Sequence, residues 1–368
     1  MIYKNQVKEK RAFKDAYRIM KKIGAFLLSL VMLLSVIVLP TNTTQAAEAM
    51  PTVSYSVHAQ SYGWMNPAQN GKTAGTTGQG KRLEAIAISL KQNGTSYAGG
   101  LRYQAHVQTY GWMNWVDADT NGASPRSLAD KGQYAGTVGK SKRMEAIRIR
   151  LTGEVANHYD IYYRVHTQTY GWLDWAKNGE PSGTKDYAKR IEAVQVKVVP
   201  KGNPAPGATS IAFKEAKIAY KTHVQTYGWM SKVHDGETAG TSGKAKRMEA
   251  LNIAMVDSSY NKEISYRTHV QTYGWQKWVN GGKNSGTEGK AKRLEAIQIE
   301  LKDSLADQYD IYYRVHAQTY GWLGWAKNGE KAGTEGLAKR LEAIQIVLVE
   351  KGGAAPGSTN KFFIKKDK

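Results

Sequence analysis

The sequence predicts an all-β protein of two domains, each made of three β-repeats in a pseudo-threefold, β-prism-like arrangement, with a β-trefoil-like arrangement as the alternative. Three observations carry this. The stretch His-x-Gln-Thr-Tyr-Gly-Trp occurs six times, with Ser61 for the threonine in the first copy. A second stretch, Lys-Arg-(Leu/Met/Ile)-Glu-Ala, follows each copy, with a His-to-Glu interval of 26 residues in five copies and 39 in the second. Around both landmarks, apolar and polar residues alternate with the period of two that marks a half-buried strand. A unit of this size cannot bury its own apolar face, so it needs neighbours. Three units around an axis meet that need, and the prism is preferred because the strands are long enough for one sheet per unit.

Unit five shows the elements in order. Tyr266, Thr268, Val270 and Thr272 alternate with Arg267, His269, Gln271 and Tyr273, which predicts the first strand. Gly274-Trp275 predicts a bulge or corner, since glycine permits unusual backbone angles. Trp278 to Gly281 reads as a short second strand entering a turn, and the following Gly-Thr-x-Gly-Lys-Ala-Lys stretch as a polar loop. Glu295, Ile297, Ile299 and Leu301 then alternate with Leu294, Ala296, Gln298 and Glu300, a return strand. This count puts Glu295 on the face of Ile297 and Ile299. A buried carboxylate needs a partner, and Arg293, Lys292 and His269 are the candidates.

The units fall into two sets. Units three and six share Tyr-Asp-Ile-Tyr-Tyr-Arg-Val-His, Gly-Trp-Leu-x-Trp-Ala-Lys-Asn-Gly-Glu and a closing Lys-Gly-x-x-Ala-Pro-Gly segment. Units one and four have Pro67 and Val233 three residues after the motif tryptophan, where the others have Trp115, Trp175, Trp278 and Trp325. The order is therefore 1-2-3 then 4-5-6: a domain over residues 50–202, a Pro/Gly/Ala/Ser-rich linker over 203–210, a domain over 211–352, and a basic tail over 353–368 whose last residues, 361–368, are expected to be disordered. Thirteen extra residues between Asp117 and Tyr134 of unit two read as an enlarged surface loop.

Residues 1–22 hold eight Lys and Arg against Glu9 and Asp15, an uncharged apolar run follows from Ile23 to Leu39, and Ala47-Glu48-Ala49 follows that. This is the order of a secretory signal peptide over residues 1–49, which implies an exported chain, secreted or at the cell surface, with no membrane span once mature. The formal net charge of the whole chain is +21, of which residues 1–49 contribute a net +5. Such a charge favours anionic partners outside the cell, including wall polymers and acidic glycans. With no cysteine, the domains stand on buried area rather than disulfides.

The repeated polar residues invite a catalytic reading, but an active site gathers different groups in one asymmetric pocket. Six equal sets, His58, His106, His166, His223, His269 and His316 with Glu84, Glu145, Glu192, Glu249, Glu295 and Glu342, argue for a structural duty. No enzyme and no cofactor are expected. One histidine per unit is not a metal-ligand spacing, although three meeting on a threefold axis would suit zinc; no metal is assigned. The invariant Trp64, Trp112, Trp172, Trp229, Trp275 and Trp322 read as core, because a buried indole contributes a large apolar area. Trp115, Trp175, Trp278 and Trp325, dispensable in units one and four, read as candidate ligand platforms on which sugar rings stack. Nucleic acid is not expected: the mature units contain no basic stretch interleaved with aromatics.

The Tyr-x-x-His-Val-Gln-Thr-Tyr-Gly-Trp start, the Gly-Thr-x-Gly loop and the Lys-Arg-Leu-Glu-Ala-Ile end resemble the clostridial hydrophobic repeats with a conserved tryptophan. The resemblance spans nearly all of the mature chain. It implies an exported or surface protein of a Gram-positive bacterium, active in adhesion or in holding extracellular assemblies and substrates near the cell, and it transfers no ligand-binding residue. The expected function is a multivalent, non-catalytic binding protein for carbohydrate or a cell-wall ligand, with a protein–protein adhesin or extracellular scaffold as the alternative.

Overall fold

The computed structural model describes residues 50–94, 97–118 and 122–366, together with Lys14; the expected signal peptide otherwise lies outside the described residues. Six antiparallel hairpins, one per unit, form the frame: Thr52–Ala59 with Leu83–Lys91, Gly99–Val107 with Met144–Gly153, Tyr159–Thr167 with Ile191–Pro200, Ile218–Val224 with Met248–Met255, Ile264–Val270 with Leu294–Leu301, and Tyr309–Ala317 with Leu341–Glu350. Each is the centre of its own sheet. The alternation read from unit five holds as far as Val270: Tyr266, Thr268 and Val270 are fully buried, while Arg267 and His269 lie on the half-exposed outer face; Thr272, expected on the buried side, lies past the end of the strand in an exposed turn.

The units are joined by lending strands. Unit one gives Ala74–Gly75 to the sheet of unit three, unit two gives Ala135–Gly136 to unit one, and unit three gives Ser182–Lys185 to unit two. The second set repeats the cycle with Ala239–Gly240, Asn284–Gly286 and Ala332–Glu335. Each ring closes after three units, and the apolar core divides accordingly into one cluster from Val53 to Val198 and another from Ile218 to Leu348. A closed cycle leaves no unit with an uncovered apolar face, which is why three is the working number.

The largest fully buried side chains are the tyrosines three residues before each motif histidine: Tyr55, Tyr103, Tyr163, Tyr220, Tyr266 and Tyr313. Their hydroxyls stitch units together. Ile253 of unit four donates its N–H to the Tyr266 oxygen at 2.9 Å, Ile299 of unit five to Tyr313 at 3.1 Å, and Ile346 of unit six to Tyr220 at 3.0 Å. The Tyr266 hydroxyl in turn donates to the Lys283 carbonyl. Burial pushes the Tyr266 hydroxyl up to about 12, against the opposing effect of the Ile253 hydrogen bond, so it stays a protonated donor. Tyr266→Phe is expected to cost about 1–3 kcal/mol in denaturant unfolding, because it orphans the buried Ile253 N–H while removing little volume. A change within experimental error would mean that the hydroxyl does not join the units.

Two segments depart from the sequence reading. Residues 203–210, expected to be a linker, cross the first set: the Trp175 N–H donates to the Ala208 carbonyl, and Phe213–Glu215 then pairs in parallel with the lent strand Ser182–Lys185. The tail repeats this path, with Trp325 donating to Ser358 and Phe363–Lys365 pairing with Ala332–Glu335. The tail is therefore structured as far as Lys366; residues 367–368 lie outside the described part. We call these two segments straps. The enlarged loop of unit two contains a short helix, α1 (Pro125–Asp130), capped by the Ser124 hydroxyl. Its Leu128 and Ala129 pack with Ala87 and Trp64 of unit one.

Candidate functional site

Three recurring stretches converge on one residue per unit, the glutamate. In every hairpin the register shifts just after the motif histidine: His269 faces Ala296 but Val270 faces Leu294, which leaves Glu295 as the bulged residue. A bulge redirects the side chain of its extra residue. It breaks the period-two count that grouped Glu295 with Ile297 and Ile299, and brings the carboxylate to His269. The lent strand then closes over the glutamate's backbone. A Cβ on Gly333 would lie 2.4 Å from the Glu295 carbonyl oxygen, and Gly333 has φ +124, so only glycine fits there.

The resulting cluster is the same in all six units. In unit five, Glu295 Oε2 lies 3.2 Å from His269 Nδ1, and Glu295 Oε1 lies 2.7 Å from the Arg293 guanidinium. His58, His106, His166, His223 and His316 meet Glu84, Glu145, Glu192, Glu249 and Glu342 at 3.1–3.2 Å. All six glutamates are buried. Of the three partners foreseen for Glu295, Arg293 and His269 take part and Lys292 does not. Burial alone would raise the Glu295 carboxyl, but His269 and Arg293 outweigh it and hold it below the usual carboxylate range. Both oxygens are committed to fixed partners, so the cluster locks the turn. Each histidine pairs with its own glutamate on the outer face, and among the described residues no group of side chains is arranged to hold a metal ion.

The motif tryptophans are not core. Trp64, Trp112, Trp172, Trp229, Trp275 and Trp322 are half-buried, each opposite its histidine in the ladder and edge-on to that ring at 5.4–5.6 Å. The backbone puts them on the histidine side of the sheet, and the buried tyrosines occupy the core place expected of them. In units three, five and six a stack runs from this tryptophan along the outer face. The Arg267 guanidinium lies 5.0 Å from the Trp275 ring and 4.8 Å from Trp278, held by a 2.8 Å hydrogen bond to Gln298. Arg164 sits likewise between Trp172 and Trp175, and Arg314 between Trp322 and Trp325.

The four candidate platforms therefore divide. Trp175 and Trp325 are only 5 % exposed, covered by the straps, so they are not open surfaces. Trp278 is 36 % exposed, and Trp115 is half-buried with Arg150 over its ring at 4.6 Å. The signal for the difference was in the sequence: the Ala-Pro-Gly segment follows only the units whose second tryptophan is covered.

The exposed aromatics that sequence reasoning missed are the motif tyrosines. Tyr62, Tyr110, Tyr227, Tyr273 and Tyr320 are 42–58 % exposed. They sit in a tight turn in which the preceding residue has positive φ, +70 at Ser61 and +69 at Thr272. The glycine-rich loop lies beside this turn. The Tyr62 hydroxyl donates to Gln79 at 2.7 Å, and the Lys81 ammonium donates to Ser61 Oγ at 3.2 Å. The corresponding loops of units two, four and five carry exposed Lys140, Lys244 and Lys290. The sixth tyrosine, Tyr170, is half-buried: it stands edge-on to Tyr187 of its own unit at 5.7 Å and donates to Glu237 of the second set at 3.3 Å. Beside it, burial pushes the Asp235 carboxyl up to about 6, against hydrogen bonds from the Lys217 and Ile218 backbone.

A family model described as Clostridial hydrophobic W matches residues 58–92, 106–153, 166–200, 223–257, 269–303 and 316–350, each match starting at a motif histidine. No curated protein and no solved structure matches the chain.

Proposed function

Since the chain belongs to the Clostridial hydrophobic W family, we propose that it is an exported, non-catalytic, multivalent protein that binds an anionic carbohydrate polymer of the cell wall. The observation that supports this most directly is the set of five equivalent turn tyrosines, 42–58 % exposed, in a protein whose six Tyr-x-x-His tyrosines are fully buried. A phenol ring offers a flat face to sugar C–H groups and a hydroxyl to sugar oxygens. Lysines in the adjoining loop supply attraction for acidic groups, and five sites on one chain supply avidity. The charge outside residues 1–49, 16 of the chain's net +21, acts in the same direction over longer range. Among the described residues no helix is long and apolar enough to cross a membrane.

The alternative, a protein–protein adhesin, draws on Tyr170, where the same turn already makes a protein contact. Sedimentation with clostridial cell walls, intact or stripped of anionic polymer, separates the readings. Intact walls should retain the protein and stripped walls should not. Replacing all five exposed tyrosines by Ala should weaken retention by about a hundredfold through lost avidity, with little change in the thermal midpoint. Equal retention by stripped walls, or by the five-site variant, would reject the proposal.

A further inference from the structure

Units three and six show what a second-position tryptophan can hold. In both, an Ala-Pro-Gly segment crosses the indole so closely that a Cβ on Gly207 or Gly357 would lie 3.2 Å from the ring nitrogen. The tryptophan's backbone N–H donates to the carbonyl of the residue after that glycine, Ala208 at 2.8 Å or Ser358 at 2.9 Å. The strap then reaches the unit's own lent strand, where the Gly183 N–H donates to Ala212 and the Gly333 N–H to Phe362, each at 3.0 Å.

Unit five has the same parts and no strap. Trp278 stacks on Arg267, is 36 % exposed, and its backbone N–H has no acceptor among the described residues. Its lent strand, Asn284–Gly286, is the outer edge of the unit four sheet. The N–H of Gly286, which matches those of Gly183 and Gly333, donates to the side-chain Oε1 of Gln276 at 2.7 Å, and Gln276 Nε2 reaches back to the Gly286 carbonyl at 3.3 Å. Units three and six have Leu173 and Leu323 at that position. The Gln276 amide therefore imitates the backbone of a strap.

We infer that unit five is a docking site for an extended Pro-Gly peptide of another protein, which lies across Trp278, displaces Gln276 and pairs as a parallel strand with Asn284–Gly286. The occupant's chemistry is fixed by the straps: glycine over the indole, a carbonyl one residue later for the Trp278 N–H, and a β-forming stretch after it. Strand addition at a sheet edge, with one side-chain pocket for specificity, is a recurrent way of capturing peptides.

The test uses the full chain and a labelled synthetic peptide of residues 202–216, with binding followed by anisotropy. The wild-type chain should bind saturably. Gln276→Leu, which removes the competitor and restores the residue of the strapped units, should bind severalfold more tightly. Trp278→Ala should lose binding, and a peptide carrying Gly207→Val should not bind the wild-type chain, a control that does not depend on the folding of any variant. Gln276→Leu binding no more tightly than wild type would overturn the inference, as would undiminished binding of the Gly207→Val peptide. Gln276→Leu chains that dimerise through their own straps while ignoring the peptide would also overturn it, by making a second copy the occupant.

Discussion

Trp325→Ala should destabilise the second set by about 3–5 kcal/mol, the range for truncating a buried aromatic, whereas Trp278→Ala should cost under about 1 kcal/mol, as for a surface position. Both residues hold the same place in their units, and both face an arginine stacked at 4.8 Å. They differ in what lies above them. Trp325 is 5 % exposed beneath Gly357 and Ser358, and the strap it anchors carries Phe363–Lys365 onto the edge of the unit five sheet. Its loss opens a cavity and frees the strap together. Trp278 is 36 % exposed and carries no strap. Thermal unfolding followed by circular dichroism should give a midpoint several degrees lower for Trp325→Ala than for Trp278→Ala. Equal midpoints would mean that the strap adds nothing to stability.

How far the fold could be read from the chain depended on the kind of signal. Strands and the 1-2-3, 4-5-6 grouping were legible because alternation and repetition are local properties of sequence. The lending of strands was not: Ala135–Gly136 is two residues long, too short for any period, and its partner lies about fifty residues earlier. The tryptophans were misjudged for a related reason. Size and invariance both point to a core, but a bulge and a turn with positive φ decide which face Trp275 meets, and neither has a clear pattern in sequence. The tyrosine of Tyr-x-x-His, at an inward position of the alternation, was the better candidate for the core. The His–Glu–Arg cluster was half legible. A buried glutamate's need for partners named Arg293 and His269 correctly, while the geometry that joins them came from the bulge.

That cluster gives the last prediction. Glu295→Ala should destabilise the protein by about 3 kcal/mol, the lower end for breaking a buried ion pair by removing one partner. It strands the Arg293 guanidinium and the His269 ring, whose side chains are only 20 % and 15 % exposed, in a site shaped for a carboxylate. Replacing Glu295, His269 and Arg293 together by apolar residues should cost less than their single losses combined, because no unpaired group remains. The pH dependence has a definite sign. The folded-state pKa of Glu295 is depressed, so the stability it contributes is complete above the ordinary glutamate value of about 4.3. That contribution is lost as pH falls below this value through the folded-state pKa, where the folded protein must take up a proton that the unfolded chain already holds. Asp160 and Asp310 act in the same window: burial alone would raise them, but Asn178, Lys177 and Lys201, and Lys327, Asn328 and Lys351, hold them well below the ordinary range. Urea unfolding from pH 6 down to pH 3 should therefore show wild-type stability falling steeply below about pH 4. Glu295→Gln, less stable at pH 6, should fall less steeply, so that the gap between the two proteins narrows with acid. A gap that stays constant over this range would show that the Glu295 charge is not what holds the turn.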